Sequence, residues 1–197
     1  MVRVMFRNSQ YTGSASAEER TRQLRKAFGV YPTGVTVVTS RSCEGELIGV
    51  TANSFVSLSL QPPLVSVALH REARHLKGFL ASGSYAVNVL GAYQKPLSNQ
   101  FARPATCDWG AVRYEVTESG HVVLRDIAAF FLCRIAARHQ VGDHELLVGE
   151  ILHFGWDEEA FPLAFMGGRY GEFHPASEVP PPNALELWLS GTPISWG

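Results

Sequence analysis

The sequence predicts a mainly β fold: a closed or nearly closed antiparallel barrel with peripheral helices. Three observations predict it. Short β-compatible runs recur at close spacing along most of the chain, and several are rich in β-branched residues. The helical patterns between them are too short, or missing, to serve as the crossovers of a parallel sheet.

Element by element, Ser16 and Glu19 have capping-box spacing, and Leu24, Ala27 and Phe28 recur at helical spacing before Gly29. A helix is therefore predicted over 17–28. Pro32-Thr33-Gly34 breaks it, and the continuous run Val35 to Thr39 reads as a buried strand. A turn containing Gly45 leads into a second strand from Leu47, and a third, Leu64 to Leu69, follows Pro62-Pro63. Leu76, Phe79 and Leu80 mark a short helix stopping near Gly83, and Tyr85 to Leu90 is again a strand. Leu97 and Phe101 stripe a brief helix, and strands follow at Ala129 to Ala137, His144 to Leu152 and Leu163 to Met166.

The 197 residues divide into a leader over 1–16, one barrel domain over 17–174, and a tail over 175–197. The tail carries Pro180-Pro181-Pro182 and the apolar Leu185, Leu187, Trp188 and Leu189, expected to pack on the barrel or on a partner subunit. With 46% hydrophobic residues, 18% charged residues and a net charge of −1, nucleic acid and acidic membrane surfaces are poor partners. No run approaches the roughly 18 apolar residues of a membrane span. Cys43, Cys107 and Cys133 are scattered without a C-x-x-C pair, which suits a reducing cytoplasm and argues against structural zinc.

Three segments carry candidate chemistry. In Gly49 to Pro63, the residues Thr51, Ala52, Asn53, Ser54 and Ser57 are small or polar. They leave backbone N–H groups open to a planar heterocycle or a phosphate; the alternative is a turn-rich edge strand with local caps. Gly142-Asp143-His144 brings an imidazole to the start of a strand, either to meet a ligand amide or as the surface residue of a hairpin. Gly167-Gly168-Arg169-Tyr170-Gly171 offers close backbone approach, a guanidinium fork and an aromatic face, or simply closes the last strand. His70, Arg71, Arg74 and His75 read as a solvated basic loop able to meet a phosphate. There is no Walker loop, no G-x-G-x-x-G entering a helix and no G-x-S-x-G elbow. Cys133 reads as an inert core thiol.

In order and at these spacings, the chain from about Leu24 to Phe173 resembles the flavin reductase-like family. The resemblance rests on Tyr31-Pro-Thr-Gly-Val-Thr-Val-Val-Thr39, Gly49-Val-Thr-Ala-Asn-Ser-Phe55, Pro62-Pro-Leu-Val65, Tyr85-Ala-Val-Asn-Val-Leu90, Gly142-Asp-His144 and Pro162-Leu163…Tyr170. It implies a Greek-key FMN-binding split barrel that works as a homodimer. It further implies an NAD(P)H-dependent reductase that passes reduced FMN or FAD to a partner monooxygenase, with no side chain acting as nucleophile or acid–base. Thr33, Thr51 to Ser54, Ser57, Leu58, Arg74 and Phe101 would line the flavin. Arg74 stands where family members often place a hydroxyl residue near the phosphate. His144, Gly168, Arg169 and Tyr170 would meet NADH or NADPH. Two other uses of the scaffold stay open at this point: a tightly flavin-bound electron-transfer protein and a non-catalytic flavin-binding barrel.

Overall fold

The computed structural model describes residues 16–103 and 108–173, so the leader up to residue 15 and the tail lie outside the described residues. Ser16 caps helix α1 (Ala17–Phe28), its hydroxyl accepting from the Glu19 N–H at 3.2 Å. The strands that follow are β1 (Thr33–Gly34), β2 (Thr36–Arg41), β3 (Leu47–Ala52), β4 (Val56–Leu60) and β5 (Pro63–His70). Helix α2 (Leu76–Ser82) stops at Gly83, whose φ of 69° ends the helix in the left-handed region. Then come β6 (Ser84–Val89), α3 (Lys95–Phe101), β7 (Tyr114–Val116), β8 (Val122–Leu124), β9 (Ala129–Val141), β10 (His144–Trp156), β11 (Leu163–Met166) and β12 (Arg169–Glu172). None of the described helices is long and apolar enough to cross a membrane.

Seven strands form one antiparallel sheet in the order β3-β2-β6-β9-β10-β5-β4. β3 and β4 are its two edges, yet only residues 53–55 join them. Four residue steps reach at most about 14 Å, whereas the edges of a flat seven-stranded sheet stand about 29 Å apart. The sheet must therefore roll up and bring its edges together. It does so without closing: no ladder joins β3 to β4 among the described residues.

The seam is fastened by a side chain. The Ser54 hydroxyl accepts from the Ala68 N–H at 3.0 Å and donates to the Ala68 carbonyl at 2.9 Å, standing in for a rung of the β4–β5 ladder. Ser54→Ala removes both bonds at a partly buried position. We expect it to lower stability by about 1–2 kcal/mol in denaturant titrations, with an unchanged slope.

The continuous burial of β2 from Thr36 to Ser40 has a simple cause: both its faces are covered. On one side Val38, Val65, Val67, Tyr85 and Leu147 pack with Phe79 of α2. On the other, Val37 and Leu90 pack with Phe101 of α3, Leu124 of β8 and Leu163 of β11. Cys133 lies in the first of these cores, where burial pushes its thiol up to about 12; it is the inert core thiol the sequence predicts. α1 is different. None of its residues is buried, and Leu24, Phe28, Val30 and Tyr31 leave an apolar stripe open.

Candidate functional site

The connector between β3 and β4 is the first component. Thr51 donates from Oγ1 to the Ser98 carbonyl of α3 at 2.7 Å, and the Ala52 carbonyl accepts from the Thr36 hydroxyl at 2.7 Å. Both residues are partly exposed, while Asn53 is exposed. Ser57 and Leu58 are exposed on the edge strand, and the register slips between Ser57 and Ser59, so that Leu58 bulges out of the ladder. Of the small polar residues in this stretch, Ser54 alone closes the seam.

The second component is the β9–β10 hairpin. Its two-residue loop is Gly142-Asp143, with Gly142 at φ 58° as the first central position of such a turn demands. His144 opens β10 directly opposite His70 at the end of β5. Its Nδ1 lies 2.7 Å from Asp143 Oδ1, and the two imidazoles meet edge to face, centroids 5.2 Å apart. The hydrogen bond with His144 holds the Asp143 carboxyl below the usual carboxylate range, with the charges of His144 and His70 adding to it. Ser54 is bonded to Ala68, and His70 is two residues further along β5. The flavin-motif connector and the Gly-Asp-His hairpin are therefore about 7 Å of strand apart.

The third component closes the chain's last hairpin. Gly167 and Gly168 both have positive φ, the requirement of the two-residue turn between β11 and β12. The Gly167 N–H donates to the Gly29 carbonyl at 2.7 Å, tying the turn to the end of α1. Tyr170 packs edge-on against Phe165 and lies under Lys95 Nζ, 5.7 Å from the ring centroid. Its hydroxyl is 2.9 Å from Ser98 Oγ and donates to Asn99 Oδ1 at 3.1 Å. Through Ser98, then, Tyr170 and Thr51 share one short polar chain. Arg169 is exposed at the turn.

Thr33 pairs with Phe165 across the β1–β11 ladder, and its hydroxyl is buried with no partner among the described residues. Arg74 and Phe101 line one small cleft of about 50 Å³ with Gly49 and Leu69. Phe101 itself is buried, 3% exposed, against Trp109 and against Gly49, where a Cβ would stand 2.5 Å from its ring. Its side chain thus packs the core behind the site. A larger cleft, about 720 Å³, runs between α1 and Gly167-Gly168.

The flavin reductase like domain family matches residues 28–174. The chain belongs to this family. The FMN reductase (NADH) SmoA of Agrobacterium fabrum is 39% identical over 155 residues, which span 79% of this chain and 87% of that protein. A probable flavin reductase of Rhizobium meliloti is 42% identical over 133 residues, 68% of this chain; this chain spans only 43% of that protein's length. Among solved structures, the NADH:FAD oxidoreductase SgcE6 of Streptomyces globisporus, in complex with NAD and FAD fragments, superposes with a TM-score of 0.77 at 33% identity. That match covers 84% of this chain and all of SgcE6 (100%).

Within this flavin reductase domain, sequence reasoning singled out the Thr51 connector, His144 and Tyr170 but missed what joins them. The sequence puts Ser98 and Asn99 in the short helix that carries Phe101, set beside the flavin by the resemblance, and His70 in a basic loop able to meet a phosphate, without joining any of them to Thr51, Tyr170 or His144. The one available signal was position: His70 directly follows an apolar strand, where the next residue of the ladder must fall.

Proposed function

We propose that this domain is an NAD(P)H:flavin oxidoreductase that reduces FMN or FAD and releases reduced flavin to a separate monooxygenase. The observation that carries the reading is the juxtaposition across the seam of the Thr51–Ser54 connector and the Gly142–His144 hairpin. Relatives named as NADH-dependent reductases of FMN and FAD support it, as does one named as the reductase component of a trigonelline monooxygenase.

The residues present fit a flavin. Thr33 holds a buried hydroxyl with no partner among the described residues, and Asn53 stands exposed beside Thr51 and Ala52, whose backbone lies at the sheet edge. Arg74 would face the phosphate. Bound flavin would supply the hydride acceptor and the nicotinamide dinucleotide the donor; the protein's part is alignment. In this account Thr51, Ala52 and Asn53 hold the ring edge, and Thr33 offers its hydroxyl as a hydrogen-bond partner. His144 orients the nicotinamide, while Gly168, Arg169 and Tyr170 flank it.

The split barrel would act as a homodimer. The open apolar stripe of α1, the exposed Val56, Leu58 and Leu60 of β4, and the stacked Phe154 and Trp156 of β10 are surfaces a second copy would cover. The cleft of about 720 Å³ lies against α1 rather than against the Thr51 connector, so the cofactor cleft would be completed at the subunit seam. The reading also places the protein in the cytoplasm, where reduced dinucleotides and thiols are maintained.

Steady-state NADH oxidation with FMN, FAD and riboflavin added in turn tests this. Turnover dependent on free flavin is expected, and its absence with every flavin contradicts the proposal. His144→Ala should weaken NADH use by about 1–3 kcal/mol of transition-state binding, roughly five- to 150-fold in kcat/KM, and leave the flavin KM unchanged. Unchanged NADH kinetics would remove His144 from the dinucleotide site.

A further inference from the structure

The Gly-Asp-His hairpin holds more than one histidine. The Asp143 carboxylate stands between two imidazoles, with His144 Nδ1 2.7 Å from Oδ1 and His70 Nε2 3.7 Å from Oδ2. We propose that Asp143 and His70 are positioning residues that fix the tautomer of His144 and leave its Nε2 as a hydrogen-bond acceptor for the carboxamide NH₂ of nicotinamide. The proposal rests on the reading of His144 given above and deepens it.

The proton positions follow from what each neighbour can do. An ionised carboxylate only accepts, so the His144 nitrogen facing Asp143 must carry its hydrogen on Nδ1. In the neutral ring Nε2 then presents a lone pair. The Glu72 N–H donates to His70 Nδ1 at 3.2 Å, so the neutral His70 carries its hydrogen on Nε2, the nitrogen that faces Asp143. Both imidazoles therefore turn an N–H toward the same carboxylate.

The backbone fixes this arrangement. The Arg71 N–H donates to the Asp143 carbonyl at 2.9 Å, docking the hairpin loop on the end of β5. His70 and His144 are direct partners in the ladder, and their rings pack edge to face at an interplanar angle of 78°. The Asp143 side chain is 76% exposed, so one hydrogen bond alone would leave it free to rotate into water. The second imidazole, on the other oxygen, opposes that rotation.

The chemistry recognised follows. A neutral His144 with an Nε2 lone pair accepts from an amide NH₂. It offers nothing to a phosphate oxygen, which is itself an acceptor. The group read at this point is accordingly the nicotinamide carboxamide rather than the pyrophosphate of the dinucleotide.

The first arm of the test needs neither cofactor nor turnover. Nitrogen-detected two-bond imidazole correlations on the full chain, at a pH where both rings are neutral, should find His144 as the Nδ1–H form and His70 as the Nε2–H form. In Asp143→Ala, His144 should revert to the Nε2–H form that free histidine favours. In the second arm, Asp143→Ala and His70→Phe should each raise the KM for NADH about three- to tenfold, with little change in kcat or in the flavin KM. Asp143→Asn, whose amide oxygen still accepts, should restore part of that loss. His144 found as the Nε2–H form in the unmodified protein overturns the proposal, as does an unchanged KM in Asp143→Ala. An Nδ1–H His144 whose removal leaves NADH kinetics unchanged overturns instead the reading on which the proposal rests.

Discussion

Asn88→Ala is expected to lower the stability of the fold by about 2–5 kcal/mol, read as a fall in the denaturant midpoint at fixed protein concentration. Asn88 is fully buried in β6 and uses its whole side-chain amide. Nδ2 donates to the Val37 carbonyl and to Thr39 Oγ1, each at 2.9 Å, while Oδ1 accepts from the Leu124 N–H at 2.9 Å. Thr39 in turn donates to the Val122 carbonyl. One amide thereby locks β2 and β6 of the rolled sheet to the β7–β8 hairpin that covers them. Truncation strands the Leu124 N–H in a dry place, and an unmet buried donor costs more than the bond itself contributed. A loss below about 1 kcal/mol would show that the β7–β8 hairpin is held by its apolar contacts alone.

Gly149→Ala should cost about 3 kcal/mol, for a steric reason. A Cβ at this position would stand 2.2 Å from Tyr85 Oη, 2.7 Å from its Cζ and 2.9 Å from Cys133 Cβ. Tyr85 is fully buried and has no room to retreat. Its hydroxyl has no partner among the described residues, and burial raises its pKa far above the ordinary phenol value. Removing that hydroxyl is therefore expected to be nearly neutral by itself and to relieve the clash: Tyr85→Phe should recover a large part of the Gly149→Ala loss in the double variant. Additive losses would mean that the backbone of β10, and not the Tyr85 ring, absorbs the methyl group.

Much of this architecture was legible in the sequence because single residues announced it. Ser16 and Gly29 bracket α1 where the capping pattern placed it, and the unbroken run at Val35 to Thr39 signalled a strand covered on both faces. The long hairpin was harder. β9 and β10 run to Val141 and Trp156, beyond the expected ends at Ala137 and Leu152, because Arg138, His139 and Gln140 lie in a ladder held by backbone pairing rather than by apolar alternation. The alternation of Val56, Leu58 and Leu60 with two serines marks β4 with period two, but its hydroxyls fit ligand contacts and a turn-rich edge strand alike, and the pattern alone does not separate the two. Turn glycines were visible at Gly142 and Gly167-Gly168, but the β7–β8 hairpin around Gly120 and the final β12 carried too little apolar signal to be separated from loop.

The site divides in the same way. Thr51, His144 and Tyr170 stand out in the sequence because each sits in a short motif of fixed composition. The Ser98–Tyr170 contact and the placement of His70 beside Asp143 depend on packing and register between segments far apart in the chain, and local pattern does not encode that. Phe101 shows the converse. Its helical stripe was legible, and the same stripe explains why its ring packs against Gly49 and Trp109 behind the site.

The most direct test of the central claim is anaerobic reduction of flavin in large molar excess over the protein, started with NADH and followed by loss of the flavin's visible absorbance. A reductase that lets its product go should bleach the entire flavin pool, and the reduced flavin should pass through a membrane that retains the protein. Bleaching that stops at one equivalent of flavin per site, with nothing reduced in the filtrate, would contradict the account and point instead to a barrel that keeps its flavin.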